Sequence, residues 1–576
     1  MKKSQGFSLP ILIILIVFCL IFSGCGGNEH DSSNTTAPTV GSSISPTANV
    51  DSATATPEAT KDTSSTEQPT STAVQTAQPT ATATPEATKN TSSTEQPTST
   101  AVQTEQPTAT ATPLPTNKPD DGDILSNIPE YTYSGNLAGT YDMSAGGMYY
   151  EKNSTTTFDP LLKGEPVVDK LGGGMMKVYT KVNSATDVHK YRADLTLAGY
   201  KLYAESDFNK NLFSTWISEK YVVTLSYLAA RRELNILVEP MRDLPGLASD
   251  NVYEDKNIVS KAIILPTSHT GRENGLCLIY QLCDGSFIII DGGHGIGFYP
   301  TDKTGFEETY DDNAEEIYQL LYQLAPDKDN IVIAAWFFSH PHWDHMGAIG
   351  PFADLYGDVV KVEQFVLNHP SNKTIQELWN RSDANILYVT KMQNAFAKFK
   401  DAKVIEAHAG QVFHIRNAVI NVLCTWELQT EYSTKFESVT TMNSASVILD
   451  INIDGVRTIM LGDSGESSTA YLNKLYGAWL ESDMVTVAHH GYQGANSTLY
   501  KNIVPKIVLW PINKENITSL LNEARNVPLK NADKIWVTGK SITIIPLPYN
   551  SDDDVIVFEA PVLAGKNWED VYPESK

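Results

Sequence analysis

The stretch SHPHWDHMGA, residues 339–348, places three histidines and one aspartate within six consecutive positions. Such crowding is unusual, because the whole chain of 576 residues contains only 12 histidines. The apolar run IVIAAWFFS at residues 331–339 leads into it and predicts a strand buried on both faces. His340 and His342 are two apart, and side chains with that spacing share one face of an extended backbone. Both imidazoles can therefore approach one ion.

The second half of the stretch supplies another pair of candidate ligands. Asp344 and His345 follow where the chain is expected to turn into a helix, so we expect them to face a second ion beside the first. Neutral imidazole and carboxylate oxygen are good ligands for zinc and similar divalent metals. The alternative is a histidine-rich surface loop that binds no metal.

Further candidate residues follow apolar runs elsewhere in the chain. Asp291 comes after FIII, Asp463 after TIMLG, and the pair His489-His490 after MVTVA. Groups at the ends of several strands can meet on one rim of a layered sandwich. The co-occurrence of these motifs with HPHWDH favours a metal site over a surface loop.

Residues 257–560 resemble the metallo-β-lactamase superfamily of hydrolases. The motifs that carry the resemblance are IIIDGG, HPHWDH, MLGDSG and HHG, in the order that the family requires. The resemblance implies an α/β fold, a four-layer αββα sandwich. It also implies ligands for two divalent metal ions, which we expect to be zinc or manganese: His340 and His342 at the first ion, Asp344, His345 and His490 at the second, and Asp463 bridging both.

The remaining site residues receive roles through the same resemblance. Asp291 supports the loop that carries the ligands without touching a metal. Asp344 and His489 are the catalytic residues, and His489 is expected to contact a substrate oxygen or to protonate the leaving group. The reverse assignment of His489 and His490 stays open.

One motif departs from the family pattern, which supplies a third histidine to the first metal. The corresponding stretch here is TTMNSASVIL, with Asn443 and no histidine, so we place Asn443 beside the ligands. His408 is a candidate for the missing ligand, and His414 is another. The motif order is similar to that of the extracytoplasmic hydrolase domain of competence DNA-uptake proteins.

The N-terminus predicts export. Residues 1–24 combine two lysines, an apolar run and Ser-Gly before Cys25, which resembles the signal peptide of a bacterial lipoprotein lipidated at Cys25. The alternative is an uncleaved membrane anchor. Both place the folded part on the outer face of the cytoplasmic membrane, and the lipid would make the membrane a partner.

Two further regions precede the hydrolase-like domain. Residues 25–128 are rich in Thr, Ser and Pro and contain near-identical repeats without a core pattern, so we expect a disordered tether. Residues 129–246 predict a small α+β domain. Its clearest helix lies within VHKYRADLTLAGYKLY, which starts at Val188. We expect a structural or interaction role for this domain.

Composition narrows the function further. A net charge of −25 makes general nucleic-acid binding unfavourable, so nucleic acid is expected only as a substrate. Five cysteines are too few for a disulfide scaffold. From the pattern of two metal sites and the resemblance to DNA-uptake proteins, we expect a hydrolase of phosphoester or phosphodiester bonds in a small molecule or polymer. The alternatives are a β-lactamase-type or other ester or thioester hydrolase, and a non-catalytic surface-binding lipoprotein. The sequence leaves the oligomeric state open.

Overall fold

A computed structural model describes residues 124–143, 174–267, 275–294, 313–370, 383–429, 442–562 and 564–572. These residues belong to one compact unit, Ala111–Lys576. The predicted signal peptide, Cys25 and nearly all of the predicted tether lie outside the described residues. Among the helices that the structure describes, none combines the length and the hydropathy needed to cross a bilayer.

The small domain is built on an antiparallel sheet that one helix covers. Its strands run β1 Asn136–Asp142, β2 Met175–Thr180, β3 Lys201–Phe208, β4 Asn211–Ile217, β5 Tyr221–Leu228 and β6 Glu233–Pro240, in the order β1-β2-β6-β5-β4-β3. Helix α1, Ala185–Leu197, buries Val188, Tyr191 and Leu195 against this sheet. Leu125 and Ile128 join the same core, so the domain begins to pack just before the predicted boundary at residue 129.

The rest of the chain contains two mixed sheets. The first has the order β13-β12-β10-β9-β8-β7-β21-β22, with β11 also pairing with β10. Its strands are β7 Lys261–Ile264, β8 Cys277–Gln281, β9 Phe287–Asp291, β10 Ile331–Phe337, β11 Val360–Val362, β12 Gln364–Leu367, β13 Lys403–Glu406, β21 Ser541–Pro546 and β22 Ile556–Glu559.

The second sheet has the order β14-β15-β16-β17-β18-β19-β20. Its strands are β14 Val412–Ile415, β15 Ala418–Cys424, β16 Ile448–Ile453, β17 Val456–Met460, β18 Met484–Thr486, β19 Ile507–Trp510 and β20 Lys534–Val537. The strands from β14 to β17 pair antiparallel, and those from β17 to β20 pair parallel.

Helices connect and cover these sheets. The α-helices are α2 Asn313–Leu324, α3 Trp343–Met346, α4 Ile349–Tyr356, α5 Asp383–Phe396, α6 Trp426–Gln429, α7 Glu466–Tyr476, α8 Ser497–Ile503, α9 Ile517–Leu521 and α10 Trp568–Val571. Short 3-10 helices lie at Ile124–Asn127, Ala229–Arg231, Ala248–Asp250, Met442–Ala445, Gly477–Leu480, Ala488–Gly491, Val527–Asn531 and Asp552–Asp554.

Three apolar cores hold the layers together. One lies between the two sheets, where Ile290 of β9 and Leu449 of β16 belong to the same buried cluster. Another packs α2, α4 and α5 on the outer face of the first sheet. A third packs α7 and α8 on the outer face of the second sheet. The predicted four-layer αββα sandwich is therefore confirmed, because each sheet buries one face against the other sheet and one against helices.

Two tight hairpins form where Asp-Gly pairs predict them. Asp284-Gly285 connects β8 with β9, and Gly285 has a φ of +87°. Asp454-Gly455 connects β16 with β17, and both residues have positive φ, +52° and +83°. Positive φ at both central residues is typical of the type I′ turn, which matches the twist of paired strands.

The small domain packs directly on the sandwich. The side chains of Asn209 and Asn211 donate to the carbonyl oxygen of Leu475 in α7, at 2.8 and 3.3 Å. The guanidinium of Arg231 lies 4.7 Å from the centre of the Tyr471 ring. These contacts join two regions that the sequence predicts as separate domains.

Candidate metal centre

The candidate ligands meet on one rim of the sandwich because strands from both sheets end there. In the first sheet β10 runs parallel to its neighbour β9, so their carboxyl ends carry Asp291 and the HPHWDH stretch to the same edge. In the second sheet β17 and β18 are parallel, and Asp463 and His490 follow them. The alignment of parallel strand ends therefore collects ligands that are far apart in sequence.

The HPHWDH stretch folds as an extended segment followed by one helical turn. His340 comes three residues after β10, and His342 is the N-cap of α3 with an extended backbone. The backbone amide groups of His345 and Met346 donate to the carbonyl oxygen of His342, at 3.1 and 3.0 Å. The turn brings Asp344 and His345 back beside the two earlier histidines.

Asp291 fixes the position of this segment through contacts with Ser339 and His345. Its φ of +57° is strained for a residue other than glycine. Its buried carboxylate accepts from the Ser339 amide at 2.6 Å and the Ser339 hydroxyl at 2.7 Å, and lies 2.7 Å from His345 Nδ1. Burial raises the pKa of Asp291, although His345 opposes that effect. A proton on Nδ1 of His345 leaves the Nε2 lone pair directed into the site, as a metal ligand requires.

A group of four residues surrounds the second predicted ion. Ligand atoms of Asp344, His345, Asp463 and His490 all lie within 4.8 Å of one another. His345 Nε2 is 3.3 Å from Asp463 Oδ2, and His490 Nε2 is 3.5 Å from Asp463 Oδ1. Each of these Nε2 atoms is also 3.8 Å from Asp344 Oδ2.

Both Nε2 atoms are buried and make no hydrogen bond. His490 Nδ1 lies 3.1 Å from the carbonyl oxygen of Pro511 and His345 Nδ1 faces Asp291, so both rings place a proton on Nδ1. Two buried lone pairs without a donor, next to two carboxylates, suit a bound cation, since buried polar atoms otherwise find partners. The donor set therefore fits a divalent metal.

A smaller group lies on the side of the first predicted ion. It contains His340, His342 and Asp463, again with ligand atoms within 4.8 Å of one another. His340 Nε2 is 2.9 Å from His342 Nδ1 and 3.8 Å from Asp463 Oδ2. Asp463 thus belongs to both groups, which is the arrangement that a bridging carboxylate needs.

The two histidines of the smaller group are held neutral. Burial lowers the pKa of His340 well below its usual value, and the neighbouring His345 and His342 rings lower it further. Burial also lowers the pKa of His342 to about 4. Neutral imidazoles present a lone pair at neutral pH, which metal binding requires.

The larger group attracts positive charge. Burial alone would lower the pKa of His345, but Asp463, Asp344 and Asp291 together raise it well above its usual value. Burial would raise the pKa of Asp463, but His345 and the other neighbouring histidines hold it well below its usual value. Asp463 is therefore ionised, and the three carboxylates favour positive charge at this point. Without a metal that charge is a proton on His345 Nε2, and a metal ion that binds there would replace the proton.

The HHG motif stands in a strained turn. His489 and His490 have φ of +49° and +53°, and Gly491 follows at +92°. A Cβ on Gly491 would lie 2.5 Å from the Trp510 ring, whose Nε1 donates to the His490 carbonyl oxygen at 2.7 Å. Left-handed backbone at consecutive residues other than glycine is costly and concentrates at functional sites.

The two histidines of this turn face different surroundings. His490 joins the group of four, and its side chain is 5% exposed. The His489 side chain is 27% exposed, and its Nε2 lies 3.9 Å from Asp463 Oδ2. Asn443 Nδ2 lies 3.2 Å from the same Nε2, so the Asn443 side chain contacts His489 at the edge of the cluster. The structure thus brings His490 among the ligand candidates and leaves His489 on the open side.

The structure places His408, the candidate for the third ligand of the first ion, outside both metal-ligand groups of the rim. Its Nε2 forms an ion pair with Glu239 at 3.0 Å, and its Nδ1 lies 2.8 Å from Glu427. With both nitrogens facing these carboxylates, the ring has none left for a distant ion. The interdomain network to which it belongs consists of Glu239, Arg242, Glu406, His408 and Glu427. His414 lies on β14 and belongs to neither metal-ligand group of the rim.

Two buried histidines near the site have no part in the sequence prediction. His294 follows Asp291 in IIIDGGH, its ring lies 4.5 Å from that of Trp343, and burial lowers its pKa to about 4. His369 follows β12, and burial lowers its pKa to about 3. The sequence could have indicated His294 as a residue near the site, because it directly follows the IIIDGG motif. His369 is found near the site only through the pairing of β12 with β10.

No protein-family profile matches the chain, and no curated protein matches it. Solved structures with some likeness include the metallo-β-lactamase fold protein YhfI from Bacillus subtilis (12% identity, 49% of this chain and 96% of that one, TM-score 0.28). CmlA, a diiron β-hydroxylase from Streptomyces venezuelae, is 12% identical over 50% of this chain and 54% of its own (TM-score 0.28). A Cronobacter sakazakii metallo-β-lactamase is 14% identical over 51% of this chain and 96% of its own (TM-score 0.23).

Proposed function

We propose that this protein is a metal-dependent hydrolase of phosphoester or phosphodiester bonds. The observation that carries the proposal is the pair of buried His345 and His490 Nε2 atoms, which make no hydrogen bond and face Asp344 and Asp463. A second group that shares Asp463 lies beside them. Two adjacent groups joined by one carboxylate match the ligand requirement of a dinuclear hydrolytic site.

The ligand residues divide into two sets around Asp463. His340 and His342 would hold one ion, and Asp344, His345 and His490 would hold the other, with zinc or manganese as the metal. Such ions, when bound, supply hydroxide near neutral pH and positive charge for developing oxyanions. Asp463 Oδ1 faces His490 and Oδ2 faces His345 and His340, so one carboxylate fixes the spacing of the two sets.

His489 is the residue best placed to act on substrate. It is the most open histidine of the HHG turn, and Asn443 Nδ2 donates to its Nε2. With Nε2 accepting, the ring proton stands on Nδ1. Burial lowers the pKa of His489, so the ring is neutral at neutral pH. Its Nδ1–H group can then donate to an oxygen of the bound ester or of the leaving group.

The proposal is tested with purified protein loaded with zinc or manganese. It should hydrolyse bis(4-nitrophenyl) phosphate, and His342→Ala should remove most of that activity because one ligand of the first ion is lost. His189→Gln is the matched control, since His189 is exposed on α1. Unchanged activity in His342→Ala would refute the assignment. Turnover of nitrocefin in place of the phosphodiester would instead favour the β-lactamase-type alternative.

We further propose that the protein acts outside the cytoplasm, anchored by a lipid on Cys25. The support is the sequence of residues 1–25, with its lysines, apolar run and Ser-Gly-Cys. Metabolic labelling with radioactive palmitate should mark the wild-type protein and leave Cys25→Ala unlabelled. Labelling of both, or of neither, would contradict the lipid anchor.

A further inference from the structure

The first ion has fewer protein ligands than the second. The smaller group contains two imidazoles and the shared Asp463, whereas the larger group has two imidazoles and two carboxylates. His408 is engaged elsewhere, and Asn443 contacts His489. An ion held by two histidines and the bridging carboxylate has three protein ligands, one fewer than the larger group offers.

His369 and His340 follow two strands that pair with each other. β12 runs parallel to β10, with Trp336 opposite Phe365 and Phe337 opposite Val366. The ladder continues past β10, since the amide of Phe338 donates to the carbonyl oxygen of Val366 at 2.8 Å. His340 follows Phe337 and His369 follows Val366 by the same three residues, so both histidines come just after the carboxyl ends of the paired strands.

Both histidines also follow residues whose side chains lie on the same face of the first sheet. Phe338 and Leu367 both belong to the core under the helices, on the outer side of the first sheet. Side chains two residues apart lie on the same face of an extended chain, so His340 and His369 follow on that face. Asn368, between Leu367 and His369, turns the other way and donates to the carbonyl oxygen of Ala407 at 2.7 Å.

The His369 ring is buried without a partner. It has no exposed surface, and neither Nδ1 nor Nε2 makes a hydrogen bond. A buried imidazole that satisfies neither nitrogen is unusual, because buried polar atoms are generally paired.

We propose that His369 supplies the third imidazole of the first ion, beside His340 and His342. This inference rests on the proposed metal-dependent function. The His369 nitrogens lie outside the group of ligand atoms within 4.8 Å, so ligation requires the ring to move toward Asp463 as the ion binds. The missing family histidine would thus be replaced from a different strand end.

Cobalt(II) titration of the full chain, followed by visible absorption and equilibrium dialysis, tests the inference. Wild type and His189→Gln should bind about two equivalents. His369→Gln should keep one tight equivalent and bind the other about 100-fold more weakly. Two equivalents at wild-type affinity in His369→Gln would overturn the inference and leave the proposed function intact. A wild-type protein that binds no cobalt would overturn both.

A measurement on the wild-type chain covers the case in which His369→Gln does not fold. A crystal structure of the zinc-loaded protein, with anomalous data at the zinc edge, locates each ion. The inference expects a His369 nitrogen at about 2.0–2.1 Å from the ion that His340 and His342 bind. An ion bound by His340 and His342 with both His369 nitrogens beyond about 3 Å would refute it, since zinc–nitrogen bonds are never that long.

Discussion

The metal centre and the interdomain network both bury histidine among carboxylates, yet they differ in how the nitrogens are used. In the metal centre, Nε2 of His345 and of His490 lies 3.3 to 3.8 Å from the oxygens of Asp463 and Asp344. In the network, both nitrogens of His408 face glutamates at 3.0 and 2.8 Å. Two sites of similar composition thus have different chemistry, because one spaces its nitrogens and carboxylates around a common point and the other holds its charges in direct contact.

Arg242 accounts for much of this difference. Glu239, Glu406 and His408 also have ligand atoms within 4.8 Å of one another, as a metal site would. However, the Arg242 guanidinium contacts Glu239 at 2.5 Å and also pairs with Glu406. The cation that balances these acids is therefore part of the chain. No such arginine or lysine pairs with Asp344 or Asp463 among the described ion pairs.

Replacing Asp463 should give the largest effect, because both metal-ligand groups share it. We expect Asp463→Asn to lower phosphodiesterase activity by on the order of 10³-fold or more, since the activated water depends on both ions. The measurement is the initial rate on bis(4-nitrophenyl) phosphate, with His189→Gln as control. Activity within tenfold of wild type would show that Asp463 does not join the two groups functionally.

Replacing His408 should affect stability and spare the metal centre. His408→Gln removes the cation beside Glu427 and leaves Glu239 with Arg242 alone, and breaking a buried ion pair costs about 3–5 kcal/mol. Urea unfolding followed by tryptophan fluorescence measures the loss. Metal content per folded molecule should stay at the wild-type value. A stable variant with reduced metal content would reverse the distinction between the two clusters.

Replacing Asp291 should weaken metal binding, although Asp291 is not itself a metal ligand, because it orients the ligand His345. Asp291→Asn keeps the shape of the side chain but removes the charge beside His345 Nδ1. Partners of this kind are worth about 10- to 100-fold in metal affinity. Competition with a zinc chelator measures the change, which should concern the second ion alone. An unchanged affinity would mean that Ser339 and the strained turn suffice to position His345.

Local patterns predict much of the fold and half of the site. The stripe from Val188 gives α1, the Asp-Gly pairs give two hairpins, and IVIAAWFFS gives β10 with only Val332 less than fully buried. These features depend on residues close in sequence, whose periodicity and turn chemistry act within a few positions. HPHWDH is local in the same way, so its histidines are recognised directly.

Features that depend on distant pairing are not readable in this way. His408 is attractive as a ligand by sequence, but its partner Glu239 comes from the small domain. His369 is 29 residues from His340 and becomes its neighbour only through the register of β12 against β10. β21 and β22 similarly return from the end of the chain to complete the first sheet. Long-range strand register is set by the whole core, which a local pattern does not specify.

The smallest expected effect is the pH dependence of the stability that His408 contributes to the interdomain network. The glutamates around His408 overcome its burial and raise its pKa from the ordinary value to about 10. A raised folded-state pKa means that its stabilisation is complete below the unfolded pKa, about 6.5, and disappears as pH rises through about 10. The difference in urea midpoint between wild type and His408→Gln should therefore shrink from pH 6.5 to 10. A constant difference would show that His408 contributes through packing, not charge.

Metal content of the purified wild-type protein, measured by inductively coupled plasma mass spectrometry after exposure to zinc and removal of free ions, tests the central claim most directly. If the buried lone pairs of His345 and His490 face a cation and Asp463 joins two groups, about two equivalents should remain bound. Asp463→Asn should lose most of that metal. A folded wild-type protein that retains less than about 0.1 equivalent would contradict the claim, because a dinuclear site requires near-stoichiometric metal.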